Sequence, residues 1–204
     1  MKLISLIFIL IFVTGCASNN KLPKATITPS AISSVEQYRY LIGPGDAVNI
    51  FVWGQPEVSG TFVVQPDGKI TTSLVEDVDV AGRTSSQLAR EIEKVLGQYI
   101  KSPIVTVSVS QFNGPYSEQV RVIGEATNPQ AVNYRQNMTL LDLMILVGGL
   151  TEFADGNSAV LIRVENGLQK EYDVMLDDLI KAGDISANVD ILPGDIIIVP
   201  EDWF

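Results

Sequence analysis

The sequence predicts an α+β protein: two small mixed domains, residues 37–115 and 116–204, after an N-terminal signal (residues 1–15) and a tether (residues 16–36). Three observations lead there. Gly43-Pro44-Gly45-Asp46 and Leu192-Pro193-Gly194-Asp195 repeat one Pro-Gly-Asp corner, and each feeds a run rich in Val and Ile. Two helix starts, at Thr84 and Thr139, each lie among strand-like stretches, so helices and strands are mixed rather than segregated by class. Asn113-Gly114-Pro115 breaks the chain between the two sets.

The signal comes first. Lys2 supplies a positive start, Leu3 to Val13 is apolar apart from Ser5, and the small residue Gly15 precedes Cys16. This is the pattern of a secretory signal, and the apolar run falls short of the roughly 20 residues a spanning helix needs. Val13-Thr14-Gly15-Cys16 resembles a bacterial lipobox, which implies cleavage before Cys16 and acylation of its thiol and new amino group. Cys16 is the only cysteine among 204 residues. Loss of residues 1–15 removes one of the 14 Lys+Arg and leaves 13 against 24 Asp+Glu, formally −11.

Composition then narrows the chemistry. Hydrophobic residues make up 46% and charged residues 19%, a globular balance. An acidic chain without basic clusters lacks the footprint of a nucleic-acid binder and the polybasic stripe that holds proteins on anionic membranes. With no histidine, a Ser-His-Asp relay, His-bound zinc and imidazole acid–base catalysis are excluded. With Cys16 acylated, no thiol is left for a disulfide, a metal site or a nucleophile. No cofactor is expected.

Ala17 to Glu36, rich in Ser, Asn, Thr, Pro and Ala, reads as the tether, and folding is expected to begin near Tyr38 to Ile42. At Gly43-Pro44-Gly45-Asp46, Pro in the second place and Gly in the third suit a type II turn, which redirects the chain into the strand Ala47 to Trp53. No Gly-Lys-Ser/Thr follows, so this is no phosphate loop. Thr61 to Val64 and Lys69 to Leu74 read as a hairpin about Gln65-Pro66-Asp67-Gly68. Glu76-Asp77-Val78-Asp79 lacks the calcium-loop pattern and reads as a solvated edge. Thr84 and Gln87 form a capping box, and Leu88, Ile92, Val95, Leu96 and Tyr99 recur at helical spacing for about four turns. Val105, Val107 and Val109 alternate with Thr106, Ser108 and Ser110 in a half-buried strand.

The second domain opens with the strand Gln119 to Gly124. Asn137-Met138-Thr139 matches a glycosylation sequon, but Thr139 is better read as a helix cap with Asp142 at the capping-box position. The helix Leu140 to Val147 stops at Gly148-Gly149. Ala159 to Val164 and Leu168 to Tyr172 pair around Asn166-Gly167, a strong hairpin signal. Val174 to Ala182 reads as a short helix. The second corner then feeds Ile196 to Val199.

Tyr40 to Ile50, Asp67-Gly68-Lys69-Ile70, Val80 to Thr84 and Pro103 to Val107 together resemble a polysaccharide export domain, assigned to residues 37–115. Val122 to Ala126, Met138 to Asp142, Gly148 to Thr151 and Leu192 to Asp195 resemble a soluble-ligand-binding β-grasp module, assigned to residues 116–204. The whole resembles outer-membrane polysaccharide export lipoproteins of the Wza type, and the ending Pro200 to Phe204 resembles a short branch of that family found beside exosortase-type clusters. The resemblance implies a non-enzymatic lipoprotein at the bacterial outer membrane, facing the periplasm. Its implied partners are further copies of itself in a ring, the exported capsular or extracellular polysaccharide, an inner-membrane polysaccharide copolymerase and an outer-membrane partner pore. The pattern departs from longer relatives in having one β-grasp module and no amphipathic C-terminal helix.

Cys16 is thus the expected lipidation site, and Gly43, Pro44, Gly45, Asp46, Pro193, Gly194 and Asp195 are structural turns. Trp203 and Phe204 either dock a partner barrel or cover the open end of the last strand. Two rival functions are weighed. One is a periplasm-facing lipoprotein that binds glycan or a partner protein without forming a conduit, although no cluster of exposed aromatics marks a sugar platform. The other is a two-carboxylate glycosidase drawing on residues such as Glu76 and Asp79.

Overall fold

The computed structural model describes Ser30 and residues 32–203. The alternation read from the sequence builds a three-stranded antiparallel sheet in the first module. Its strands are β1 (Ala47–Val52), β2 (Gly60–Val63) and, after two short strands and a helix, β5 (Val105–Gln111), in the order β2-β1-β5. Val48, Ile50 and Val52 of β1 point inward and are buried, while Asn49 and Phe51 point outward. Helix α1 (Ser85–Leu96) covers the inner face with Leu88, Ala89, Ile92 and Leu96. Its start is fixed by the capping box, in which the Gln87 N–H donates to Thr84 Oγ1 and the Thr84 N–H to Gln87 Oε1. Its far half is latched to β5, because Glu93 accepts from the Val105 N–H at 3.0 Å while Arg90 donates to the Val105 carbonyl at 3.2 Å.

Two expectations about this module need correcting. The hairpin over Thr61–Val64 and Lys69–Leu74 does not form: β2 pairs only with β1, and the short β3 (Lys69–Ile70) pairs with β4 (Val78–Asp79). The reason is the first corner. Gly45 donates to the Val64 carbonyl and Val64 donates to the Asp46 carbonyl, both at 2.9 Å, and this draws the chain inward at buried Val64. The turn Gln65–Gly68 then starts a new ribbon. The helix also ends sooner than its periodicity suggests. After Gly97 the chain tightens, with Tyr99 donating to the Leu96 carbonyl, so Ile100 packs on the core and Tyr99 stays in solvent.

The second module is a five-stranded mixed sheet in the order β7-β6-β10-β8-β9. Its strands are β6 (Gln119–Gly124), β7 (Gln130–Asn133), β8 (Ala159–Glu165), β9 (Leu168–Val174) and β10 (Ile196–Val199). β10, the last to arrive, takes the centre, parallel to β6 and antiparallel to β8. Its Ile-rich sequence suits that buried position. Helix α2 (Leu140–Leu146) is capped by Thr139 with Asp142 and packs Leu140, Leu143 and Met144 into this core. Asn166 (φ 53) and Gly167 (φ 77) make the tight β8–β9 connection. Helix α3 (Leu176–Ile180) is shorter than the expected Val174–Ala182, because Val174 still belongs to β9. The two modules keep separate hydrophobic cores. Among the described residues, no helix is long and apolar enough to cross a membrane.

Candidate functional site

The two Pro-Gly-Asp corners have one local plan. In each, the Asp N–H closes the turn onto the carbonyl three residues back, from Asp46 to Gly43 at 3.1 Å and from Asp195 to Leu192 at 3.2 Å. Gly45 (φ 85) and Gly194 (φ 86) take the positive angle at the third place. The aspartates that follow are sealed from solvent, Asp46 at 0% and Asp195 at 1% exposure. A buried carboxylate must be compensated, and the two corners do this differently.

Asp46 uses neutral donors. Oδ1 accepts from the N–H groups of Asn113 (2.6 Å) and Gly114 (2.9 Å), and Oδ2 from Gly43 N–H (2.9 Å) and Tyr40 O–H (2.6 Å). Asn113 and Gly114 belong to the connector between the modules, so this corner fastens the linker. Burial, then the hydrogen bond to Asp46 and its charge, push the Tyr40 phenol above its ordinary range. Asp195 uses a cation. Arg163 on β8 grips both its oxygens, Nε to Oδ1 at 2.9 Å and Nη2 to Oδ2 at 2.7 Å, and Leu192 N–H adds a third bond at 2.8 Å. Burial disfavours the Arg163 charge, but the Asp195 bond and charge outweigh it and raise the pKa overall.

The connector is held from the second module too. Asn133 donates to the Phe112 carbonyl at 2.6 Å, and Gln119 reaches the Asn113 carbonyl at 3.2 Å. Tyr40 meets Phe112 edge-on with centroids 5.0 Å apart, and Tyr38 meets Tyr134 at 4.8 Å. Tyr38 is pushed up to about 12 by burial, with Glu118 and Tyr134 adding to the effect. Glu118 is itself buried and raised by desolvation, partly offset by the hydroxyls of Ser30 and Ser117. Ser30, upstream of both modules, donates to Glu118 Oε2 at 3.0 Å. It also lines a groove of about 470 Å³ with Ile32, Arg163, Gly167, Leu192 and Pro193 at the second corner.

The other residues singled out in the sequence are scattered. Cys16 and Phe204 lie outside the described residues. Trp203 is 82% exposed, and the segment after β10 is flanked by backbone pairing instead: Ala154 bridges Glu201, and the Asp202 N–H donates to the Phe153 carbonyl at 2.7 Å. Glu76 and Asp77 (φ 54) lead into β4, where Val78 is buried and Asp79 is exposed opposite Lys69. Among the described residues, no three His, Cys, Asp or Glu side chains converge to hold a metal ion.

Sequence reasoning missed two features. Arg163 as the partner of Asp195 has no local signal, since 32 positions separate them. The other is an exposed aromatic pair, contrary to the expectation that none marks the surface. Phe51 is 48% and Trp53 70% exposed, with centroids 6.3 Å apart at 79°. Phe51 lies on the outward face of β1 and Trp53 follows directly after the strand, two residues on, a signal hidden inside the apolar run Ala47 to Trp53.

Comparison with known proteins gives matches in both modules. Residues 34–110 match the family model described as polysaccharide biosynthesis/export protein, and residues 118–199 match the SLBB domain. The EPS I polysaccharide export outer membrane protein EpsA of Ralstonia nicotianae is 29% identical over 187 residues, covering 79% of this chain and 47% of the relative. The polysialic acid transport protein KpsD of Escherichia coli is 31% identical over 161 residues, covering 78% and 28%. The exopolysaccharide production protein ExoF of Rhizobium meliloti is 28% identical over 146 residues, covering 65% and 33%. The chain spans about half the length, or less, of these curated relatives.

Proposed function

We propose, from the premise that this chain belongs to the polysaccharide biosynthesis/export protein family, that it is an outer-membrane component of exopolysaccharide export. The observation that carries this is the ordered pair of family matches, export domain then SLBB domain, each falling on a module with its own core. The relatives' names speak of export, transport and production of polysaccharide, and two name the outer membrane, which supports a carrier rather than an enzyme.

In this reading Cys16 is acylated and the protein faces the periplasm. Acylation of both the thiol and the amino group supplies the more than one chain that stable anchoring needs, and a ring of copies multiplies the anchors and gains avidity. The ring receives polymer from an inner-membrane copolymerase and delivers it to an outer-membrane pore. Exposed Trp203 supports docking by the chain's last residues.

The test is deletion of the gene, complemented by wild type or Cys16→Ala. Wild type is expected to restore polymer outside the cell with unchanged chain length and linkage, and Cys16→Ala to leave the membrane fraction and export poorly. Secretion unaffected by the deletion would falsify the export role. A protein that sediments as a monomer at every concentration in detergent, and crosslinks to no second copy, removes the ring.

A further inference from the structure

The outward face of the β2-β1-β5 sheet is exposed, and across it the Asn49 side-chain amide donates to Thr61 Oγ1 at 3.1 Å. Register places Asn49 opposite Thr61 and Ser108, and Phe51 opposite Thr106. Asn49, Phe51, Thr61, Val63, Thr106 and Ser108 are all exposed, and none carries a charge in a chain of formal net charge −10. Trp53 extends the face at one end, edge-on to Phe51. An amide and three hydroxyls thus lie beside two accessible aromatic rings.

Those groups match one kind of ligand. The apolar C–H face of a sugar ring stacks on an aromatic face, and its hydroxyls exchange hydrogen bonds with Asn, Thr and Ser, which both donate and accept. A protein partner fits less well, since the centre of such an interface is apolar and aromatic, whereas the row beside Phe51 is hydroxylated. The lack of charge suits a polymer that is neutral or acidic, because no outward carboxylate repels it. Asn49 on β1 to Trp53, the residue just past its end, spans up to ~13 Å of chain, longer than a single pyranose ring.

We propose that this face binds a run of sugar units of a polysaccharide chain, stacked on Trp53 and Phe51 and hydrogen-bonded by Asn49, Thr61, Thr106 and Ser108. The proposal rests on the export reading for the polymer's identity and goes beyond it in assigning a contact site.

Trp53 and Trp203 are the protein's two tryptophans, so a Trp203→Phe variant makes Trp53 the sole tryptophan reporter. The probe is the exopolysaccharide secreted by the producing strain, cleaved to short oligosaccharides. Trp53 emission is expected to change saturably on titration. By calorimetry, Phe51→Ala and Trp53→Ala should each weaken binding about tenfold, as loss of one stacking ring does elsewhere. Circular dichroism should be unchanged, because both rings lie outside the core. Emission indifferent to the oligosaccharides, or binding untouched by Trp53→Ala, overturns the site. So does an emission change that tracks protein concentration and dimer formation in sedimentation, which would mean that a second copy covers the face.

Deletion of the gene separates the two failures. Secretion unaffected by deletion overturns the export reading and with it the ligand named here. Secretion lost on deletion, but normal with a Phe51→Ala/Trp53→Ala double variant that no longer binds, leaves export standing and overturns the site's part in it.

Discussion

Asn113 lies 67 positions after Asp46, yet its backbone N–H donates to the Asp46 carboxylate at 2.6 Å while its side-chain amide donates to the Gly45 carbonyl at 2.7 Å. The corner that opens the first module is thereby completed by the chain leaving it. Asp46→Ala removes the acceptor of four donors and strands those that are buried. At about 1–3 kcal/mol for each buried group left unpaired, the loss should be about 4 kcal/mol. It should appear as a lower midpoint in urea unfolding, largest for probes in the first module. A change below about 1 kcal/mol would show that water takes the carboxylate's place.

Gly43 tests the same seam by size. A Cβ there would run into the Gly114 carbonyl and the Pro115 nitrogen, which are all backbone, so no side chain can yield. Gly43→Ala should cost about 3 kcal/mol, seen as a melting temperature lowered by roughly 6–12 °C.

Glu118 gives a pH signature. Burial raises its folded pKa above the ordinary carboxylate value, so the folded state holds its proton more tightly than the unfolded state. By linkage, its contribution is fully favourable below the unfolded value, near 4.5, and falls as pH rises through the folded pKa. Glu118→Gln keeps an acceptor for Ser30 and has no charge to bury. It should raise stability near neutral pH and flatten this part of the curve. Melts recorded from about pH 4 to about pH 8 that show parallel curves for the two proteins would refute it.

The two capping boxes should behave alike. Thr139→Ala and Thr84→Ala each remove a side-chain acceptor from a helix start and should cost about 1 kcal/mol by chemical denaturation. Serine at either position should restore most of it.

What could be read from the sequence was local. Val105, Val107 and Val109 against Thr106 and Ser108, Thr84 with Gln87, and Asn166-Gly167 each specify their geometry within a few residues. The Pro-Gly-Asp corners were visible as turns, but not the burial of their aspartates, because the compensating groups lie 67, 68 and 32 positions away. Lys69 and Ile70 had the composition of a hairpin strand, and tertiary pull on Val64 gave them a different partner. Tyr99 continued a helical period that the turn after Gly97 interrupts. Phe51 and Trp53 were hidden because burial on both faces and burial on one face look alike in an unbroken apolar run.

Ser30 rests against Glu118 and the Gly194 corner, and the Val35 carbonyl accepts from Gln136, so the chain entering the fold is moored first on the second module. Thirteen residues lie between Cys16 and Ser30, a leash of at most about 50 Å when fully drawn out. With the leash fastened in a bilayer at Cys16, tension would reach the SLBB module at Glu118 and Gly194 before it reached the export domain. The module encoded second would be the one kept within reach of the lipid.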